Sequence, residues 1–306
     1  MAAAKEGIKQ KVRGWSHHDS ADLYGIDDWG NGYFRISKKG EVTVRLNDED
    51  GGKKDVSLCD LLEGLKERGT TVPVLFRFRD LLRSRIAELN DSFRKAIKEA
   101  GYQGKYQGVY PIKVNQQRQV VEEIAEFGTK YDYGLEAGSK PELIAAMAHM
   151  HNPNAYLICN GYKDDEFIDL ALTAQKMGLN IFIVLEMPSE LDVILERARR
   201  MDIRPNLGVR VKLAAKGSGL WQESAGDKSV FGLNAAQVVD VVDKLKQVDA
   251  LDCLKLLHYH QGSQIPNISV VREGLTEAVR IYVDLVKEGV DNVMEYSNAQ
   301  FVVLGL

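Results

Sequence analysis

Short apolar runs alternate with longer amphipathic segments along most of the chain after Pro73. The segments between the runs carry apolar residues at helical spacing, and each run has the length of a buried strand. This alternation predicts βαβ units and a parallel sheet. The predicted strands are VPVLFRF, GVYPIK, YGLEAG, AYLICNG, IFIVLE, LGVRVKL and CLKLLHYH, with a long helix from Asp80 to Ala100 after the first of them.

The chain before residue 72 has a different pattern. Residues 25–47 combine glycine-rich turns with an alternating apolar run, which predicts a short β-meander. Residues 57–68 place leucines at helical spacing and predict a helix. We therefore divide the chain into residues 1–71, a meander with a helix; residues 72–290, a β/α unit; and residues 291–306, an atypical tail.

Polar residues close successive predicted strands at a nearly constant interval. The first intervals are 23, 24, 26 and 24 residues, between Lys113, Glu136, Asn160, Glu186 and Arg210. His260 follows after 50 residues, which is one further unit plus a long glycine-containing loop. This period predicts an α/β fold of the (β/α)8 TIM-like barrel class, whose active site lies at the C-terminal ends of the strands. A doubly wound sheet is disfavoured because the chain contains no GxGxxG turn.

Lys113 is the first candidate for chemistry. It follows the apolar run Val109, Tyr110, Pro111 and Ile112. Partial desolvation there would favour a neutral, nucleophilic amine suited to Schiff-base formation with a carbonyl group or pyridoxal phosphate. The alternative is a lysine that reaches from a strand end into solvent.

His258 and His260 stand two residues apart and therefore share one face of their predicted strand. An imidazole stacked on a flat cofactor, beside a turn through Gly262 and Ser263 that binds phosphate, fits most of these residues. A metal site is a weaker interpretation, because neither HExxH nor a carboxylate triad accompanies the pair. A third interpretation is that these are ordinary strand-end histidines.

Composition narrows the classes of partner. The net charge is -4, with 44% hydrophobic and 27% charged residues, which predicts no role in nucleic-acid or membrane-surface binding. Cys59, Cys159 and Cys253 form no CxxC pair, so we expect free thiols in a reducing compartment. The chain shows neither an apolar leader nor a run of membrane-spanning length. We therefore expect a cytoplasmic protein.

Several motifs occurring in order resemble the biosynthetic arginine decarboxylases, pyridoxal-phosphate enzymes of the alanine racemase-like barrel class. The resemblance covers residues 14–290 and implies decarboxylation of L-arginine to agmatine and carbon dioxide in polyamine and spermidine biosynthesis. It also implies pyridoxal 5′-phosphate and Mg2+ as cofactors, a homo-oligomer at full length, and a β-domain that residues 25–47 join. The motifs are WGNGYF, FRFRDLL, YPIKVNQQRQVVEE, YGLEAGSKPEL, LICNGYKD, LGVRVKL and HYHQGSQI.

The resemblance further implies roles for single residues. Lys113 would form the internal aldimine, and Glu136 would lie close to the lysine amine. His260 would stack on the ring face, with Arg210 behind the ring near it. Ser263 would contact the phosphate. Lys113, His260 and Glu136 would thus be catalytic, and the resemblance implies no residues for the metal.

Some features of the family pattern do not occur in these 306 residues. They are the glycine-rich phosphate loop, the Glu-Pro-Gly-Arg segment and the cysteine-bearing C-terminal β-domain, and Val230 stands where the family has a lysine. We therefore expect an incomplete barrel with an open edge, poor solubility and no turnover of arginine. Two alternative hypotheses are another barrel enzyme of this cofactor class, such as a diaminopimelate decarboxylase or a racemase, and a non-catalytic remnant that binds pyridoxal phosphate.

Overall fold

The computed structural model describes residues 14–47, 52–213, 229–262, 267–291, 293–297 and 302–305. The chain divides into two compact units, one that ends at Arg85 and one that begins at Ile86. The domain limits expected from the sequence, at residues 71 and 290, stay predictions. Residues 72–78, expected to form a strand, have no strand pairing. Pro73 lies in this segment and has no N–H to donate to a sheet.

The first unit contains a three-stranded antiparallel sheet in the order β1, β2, β3. The predicted range of the meander, residues 25–47, contains the first two strands, whereas Ile26–Trp29 is helical and the third strand follows at Lys53–Ser57. Val44 of the central strand is fully buried. The hydroxyl of Ser57 caps the helix that follows by accepting hydrogen bonds from the N–H groups of Cys59 and Asp60. The elements are α1 His17–Leu23, α2 Ile26–Trp29, β1 Phe34–Ile36, β2 Val42–Asn47, β3 Lys53–Ser57 and α3 Leu58–Glu67.

Strands and helices alternate through the second unit, as the apolar runs predicted. Helix α4, Arg79–Ala100, contains the division between the units and leads to the first strand. The following elements are β4 Lys105–Gln107, β5 Val109–Pro111, α5 Arg118–Gly128, β6 Gly134–Ala137, α6 Lys140–His149, β7 Tyr156–Cys159, α7 Asp165–Lys176, β8 Asn180–Leu185, α8 Glu190–Met201, β9 Leu207–Val211, α9 Ala235–Gln247, β10 Leu254–Tyr259, α10 Ile268–Lys287, β11 Met294–Ser297 and β12 Val302–Gly305.

These strands form one sheet in the order β4, β12, β11, β10, β9, β8, β7, β6, β5. Neighbours from β5 to β11 pair in parallel. The two end strands, β4 and β5, are separated in the chain by Gly108 alone, so the sheet returns on itself as a barrel. Only glycine fits at this bend, because a Cβ atom on Gly108 would lie 2.0 Å from the ring of Tyr133.

An open edge was expected beside the first strand, and the pairing covers β4, the first part of that strand. Strand β12 lies between β11 and β4 and pairs antiparallel with both. The connection from β11 to β12 is too short for the crossover that a parallel strand requires, so the chain reverses and pairs antiparallel. Among the described residues, β5, the part of the first strand that leads to Lys113, pairs with β6 alone. Poor solubility stays a prediction.

The barrel has an apolar core and a polar mouth, by which we mean the opening at the C-terminal ends of its strands. Val109, Tyr156, Ile158, Phe182, Val184 and Leu256 form a buried cluster on the inner faces of the strands. Side chains alternate between the two faces of a strand, so the residues two positions further along belong to the same inner series. Polar residues occupy those positions at the C-terminal strand ends, which places the candidate site on top of the core.

Candidate active site

An ion pair fixes one wall of the mouth. Arg210 of β9 lies beside Glu186, the residue after β8, with Nη1 at 3.0 Å from Oε2 and 3.2 Å from Oε1. The Glu186 carboxylate is buried and also accepts a hydrogen bond of 2.9 Å from the N–H of Gly161. The guanidinium carbon of Arg210 lies 5.3 Å from the ring centre of Phe231. Glu186 and Phe231 therefore hold the orientation of this cation from two sides.

A second, fully buried ion pair lies among the residues that follow β7 and β8. Lys163 and Glu190 have side chains only 0% and 3% exposed, and Lys163 Nζ lies 3.4 Å from both carboxylate oxygens. Glu190 also accepts hydrogen bonds from the N–H groups of Lys163, at 3.0 Å, and Glu186, at 2.7 Å. Burial lowers the pKa of Lys163, while Glu190 and Glu186 act in the opposite direction. One carboxylate thus joins the ends of β7 and β8.

Lys113 lies on a 3-10 turn, Ile112–Val114, directly after β5. Val109, Tyr110, Pro111 and Ile112 before it are buried, as the sequence predicted, but Lys113 itself is exposed. The expected partial desolvation is therefore wrong in this structure, because the strand has already ended and the lysine stands at the open mouth. Its amine is accessible to a reactant from solvent.

The two histidines differ in environment. His258 belongs to β10, aligns with Arg210 of β9 and is 0% exposed. Burial lowers the pKa of His258 well below that of a free histidine, and the positive charge of Arg210 adds to the effect, so the ring is neutral. His260 follows the strand and is only partly buried. Ser263, the expected phosphate contact, lies outside the described residues.

Glu136 and Asn160 complete the inner series on β6 and after β7. Glu136 is buried and aligns with Pro111 of β5 and Ile158 of β7. Asn160 is 5% exposed, and neither atom of its carboxamide has a hydrogen-bond partner within the residues that the structure describes. Sequence reasoning noted Asn160 only as a strand end. The signal was a polar residue directly after the apolar run LIC.

The side chains of the mouth suit an organic cofactor better than a metal ion. Among the described residues, no group of three or more His, Cys, Asp or Glu side chains is arranged to hold a metal ion. The same part of the chain offers an accessible amine at Lys113, the buried carboxyl group of Glu136 and an amide without a partner at Asn160. These groups suit a polar aromatic aldehyde far better than a cation.

Comparison with known proteins agrees with this chemistry. The family model described as "Pyridoxal-dependent decarboxylase, pyridoxal binding domain" matches residues 84–295. The chain belongs to the pyridoxal-dependent decarboxylase family. Pyridoxal phosphate is therefore the cofactor of its family, and the accessible amine, buried carboxyl group and orphaned amide of the mouth fit that group.

The relatives confirm the resemblance to biosynthetic arginine decarboxylases. The protein of that name from Gloeobacter violaceus is 49% identical over 278 residues, which are 91% of this chain and 43% of the relative. Arginine decarboxylase 1 of Oryza sativa subsp. japonica is 47% identical over 298 residues, 94% of this chain and 42% of the relative. The chain thus spans less than half the length of these curated relatives.

Solved structures confirm the fold class. The biosynthetic arginine decarboxylase SpeA from Campylobacter jejuni superposes with a TM-score of 0.78 at 37% identity, covering 88% of this chain and 43% of that structure. Diaminopimelate decarboxylase from M. jannaschii in complex with L-lysine superposes with a TM-score of 0.60 at 21% identity, over 89% of this chain and 60% of that structure. At that identity, the second likeness shows the shared barrel fold alone.

Separately, no helix in the described part of the chain is long and apolar enough to span a membrane.

Proposed function

We propose that this chain is the cofactor-binding part of an arginine decarboxylase, which converts L-arginine to agmatine and carbon dioxide. The single observation that carries the proposal is the polar mouth above an apolar barrel core, with an accessible lysine after the first parallel strand. The 49% identity to the Gloeobacter violaceus enzyme supports arginine as the substrate. Because the chain spans 43% of that relative, the activity of the whole protein is part of the proposal.

Within this proposal, five residues act on the cofactor and substrate. Lys113 holds pyridoxal phosphate through its amine, with Glu136 near that amine. His260 packs against the ring face, and Arg210 lies behind the ring. Ser263 contacts the phosphate. The exposure of Lys113 and the fixed orientation of Arg210 support these assignments.

The bound cofactor supplies an electron sink for the pair left behind when the carboxylate departs as carbon dioxide. The residues of the chain manage protons and charge around it. Lys113 Nζ donates a proton to the α-carbon of the product, because its amine is released at the mouth when the substrate takes its place. Arg210 is paired with Glu186, and the neighbouring His258 stays neutral because burial lowers its pKa.

Further parts of the proposal depend on the relatives rather than on the mouth. We assign the reaction to polyamine biosynthesis in the cytoplasm, and we infer a homo-oligomer for the full-length enzyme. The free cysteines support a reducing compartment. Magnesium is retained as a second cofactor of the enzyme class, but the described residues do not fit it, and no step is assigned to it.

Covalent trapping tests the role of Lys113. The chain is incubated with pyridoxal phosphate, reduced with borohydride, digested and mapped. We expect the label on the peptide spanning residues 106–118, and we expect Lys113→Ala to lose it. Lys105→Ala is the matched control and should keep the label, on the peptide 99–118 because cleavage after residue 105 is lost, since Lys105 lies before the bend of the first strand. Label on another lysine, with none on this peptide, would show that the assignment is wrong.

Substrate choice is tested by release of labelled carbon dioxide. Carboxyl-labelled arginine, ornithine, lysine and diaminopimelate are each supplied to the chain with pyridoxal phosphate and magnesium. The same assay is run on the chain joined to the remaining part of the Gloeobacter violaceus enzyme. We expect arginine to be preferred in the joined protein. Preference for diaminopimelate, racemisation without release of carbon dioxide, or cofactor binding without turnover in the joined protein would favour the alternative hypotheses.

A further inference from the structure

The carboxamide of Asn160 is a buried polar group without a hydrogen-bond partner in the part of the chain that the structure describes. The residue is 5% exposed, and both its Nδ2 and Oδ1 atoms lack hydrogen bonds within the described residues. Leaving such a group unpaired inside a protein is unfavourable, and native structures rarely retain one without a reason. In an enzyme mouth, that reason is commonly a ligand that supplies the missing partner.

The strand register explains why the protein provides no partner. The N–H of Asn160 donates to Ala137 O at 2.9 Å, so the pairing of β6 with β7 continues to this residue. Its neighbour on the β6 side is then Gly138, which has no side chain. Cys159 aligns with Ile183, so the neighbour on the β8 side is Val184, a member of the apolar core. The amide thus lies between a gap and an apolar side chain.

The same register points the amide towards the mouth. Tyr156 and Ile158 face the barrel interior, and Asn160 is the next residue of that alternating series. Pro111 aligns with Glu136 and Glu136 with Ile158, so two further residues along β6 and β7 lead to Gly138 and Asn160. Lys113 stands two residues after Pro111, on the 3-10 turn that follows β5. The gap above Gly138 therefore separates the strand end bearing Lys113 from the one bearing Asn160.

We propose that Asn160 is a cofactor-binding residue whose carboxamide donates a hydrogen bond to the phenolic oxygen of pyridoxal phosphate. This inference rests on the proposed function of Lys113. If the cofactor aldehyde bonds to that lysine, the phenolic oxygen is the polar group on the adjacent ring carbon and lies nearest to the attachment. An anionic oxygen accepts strongly from an amide N–H, whereas a phosphate would need cations or a nest of backbone N–H groups.

Asn160→Leu removes the amide but keeps the branched shape, and Asn160→Ala guards against overpacking by the larger leucine. The matched control is Asn206→Leu at the opposite end of the barrel. There the amide is satisfied, since Nδ2 donates to Ile181 O at 3.0 Å and Oδ1 accepts from Lys255 Nζ at 2.8 Å. The measurements are the Tm of the chain without ligand and the dissociation constants of pyridoxal 5′-phosphate and its 3-deoxy analogue, by equilibrium dialysis.

We expect both Asn160 variants to keep or raise the Tm of the ligand-free chain, because they remove an unsatisfied group. Both should bind pyridoxal phosphate about tenfold more weakly than the wild type, equivalent to about 1.4 kcal/mol. The 3-deoxy analogue lacks the phenolic oxygen, so the wild type and the variants should bind it equally. Asn206→Leu should lower the Tm and leave both dissociation constants unchanged.

Two results would overturn the inference alone. One is wild-type affinity for pyridoxal phosphate in both Asn160 variants, as expected if a water molecule satisfies the amide. The other is an equal loss of affinity for both ligands, which would indicate a change of shape rather than a lost hydrogen bond. A wild-type chain that binds neither ligand would overturn the proposed function as well. The two failures are therefore distinguishable.

Discussion

Neutralising Glu190 tests whether its buried ion pair with Lys163 stabilises the fold. Glu190→Gln keeps the shape of the side chain and one acceptor oxygen. It removes the charge that faces Lys163, whose side chain is 0% exposed. The carboxylate now accepts hydrogen bonds from the N–H groups of Lys163, Glu186 and Met187, and the amide N–H2 of glutamine would oppose at least one of these donors. The variant therefore leaves a buried ammonium group without its counter-ion.

The size of the effect follows from that burial. Removing one member of a buried ion pair costs about 3–5 kcal/mol, because the remaining charge is neither solvated nor paired. For a domain of about 150–250 residues, each kcal/mol lowers Tm by roughly 2–4 °C. We therefore expect Glu190→Gln to lower Tm by about 6–20 °C, measured by circular dichroism or calorimetry at neutral pH.

The deficit should also depend on pH. Burial lowers the pKa of Lys163 below the model-compound value of 10.5, and Glu190 is the main opposing influence. Without that carboxylate, the pKa of Lys163 in the folded variant falls further. At pH values between that lowered pKa and 10.5, the pKa of an ordinary lysine, the unfolded chain binds more protons than the folded chain. Stability therefore rises with pH in this range. The variant should therefore recover part of its lost stability as the pH rises from neutrality towards 10.

Two further variants make the result decisive. Glu190→Gln combined with Lys163→Met replaces the pair by uncharged groups and should be more stable than Glu190→Gln alone. Glu196→Gln removes an exposed partner of Arg200 on the same helix and should change Tm little. Equal losses in Glu190→Gln and Glu196→Gln, or a double variant less stable than the single one, would refute the reasoning.

Two other predictions concern the mouth. His260→Ala should weaken retention of pyridoxal phosphate with little change in Tm, whereas His258→Ala should lower Tm, because His258 is fully buried. Equal loss of cofactor in both would contradict the assignment. Gly161→Ala should cost about 1–3 kcal/mol in urea unfolding, because Gly161 has a φ of +75° and an added Cβ would lie 2.5 Å from Gly138 O. Gly178→Ala, also at positive φ but in open space, should cost less, and an equal cost would exclude the contact with Gly138 as the cause.

The alternation of elements in the second unit was predictable because it depends on local pattern. Apolar runs such as AYLICNG predict a strand in this setting, and the structure has β7 at Tyr156–Cys159. The period between polar strand ends predicted that they would gather at one mouth. Arg210 and Glu186, which stand 24 residues apart, indeed form an ion pair. Both predictions use sequence separations that the geometry of a βα unit imposes.

Other features depend on neighbours that no local pattern specifies. The segment VPVLFRF, residues 72–78, has the pattern of a strand, yet it pairs with no strand among the described residues. Val302–Gly305 was expected to belong to an atypical tail, yet it covers the edge between β11 and β4. Lys113 follows an apolar run and is nevertheless exposed. In each case, the outcome depends on which part of the chain lies alongside.

The sequence by itself determined the βα alternation, the barrel class and the residues at the strand ends, because period and residue type are encoded in neighbouring positions. Only the tertiary structure decided that Lys163 is paired with Glu190, that His258 is neutral and that the carboxamide of Asn160 has no partner among the described residues. Those properties arise from register, which sets Gly138 and Val184 beside Asn160 and joins residues 27 positions apart through one carboxylate. Burial and hydrogen bonding are relations between strands, and they exist only once the strands have paired.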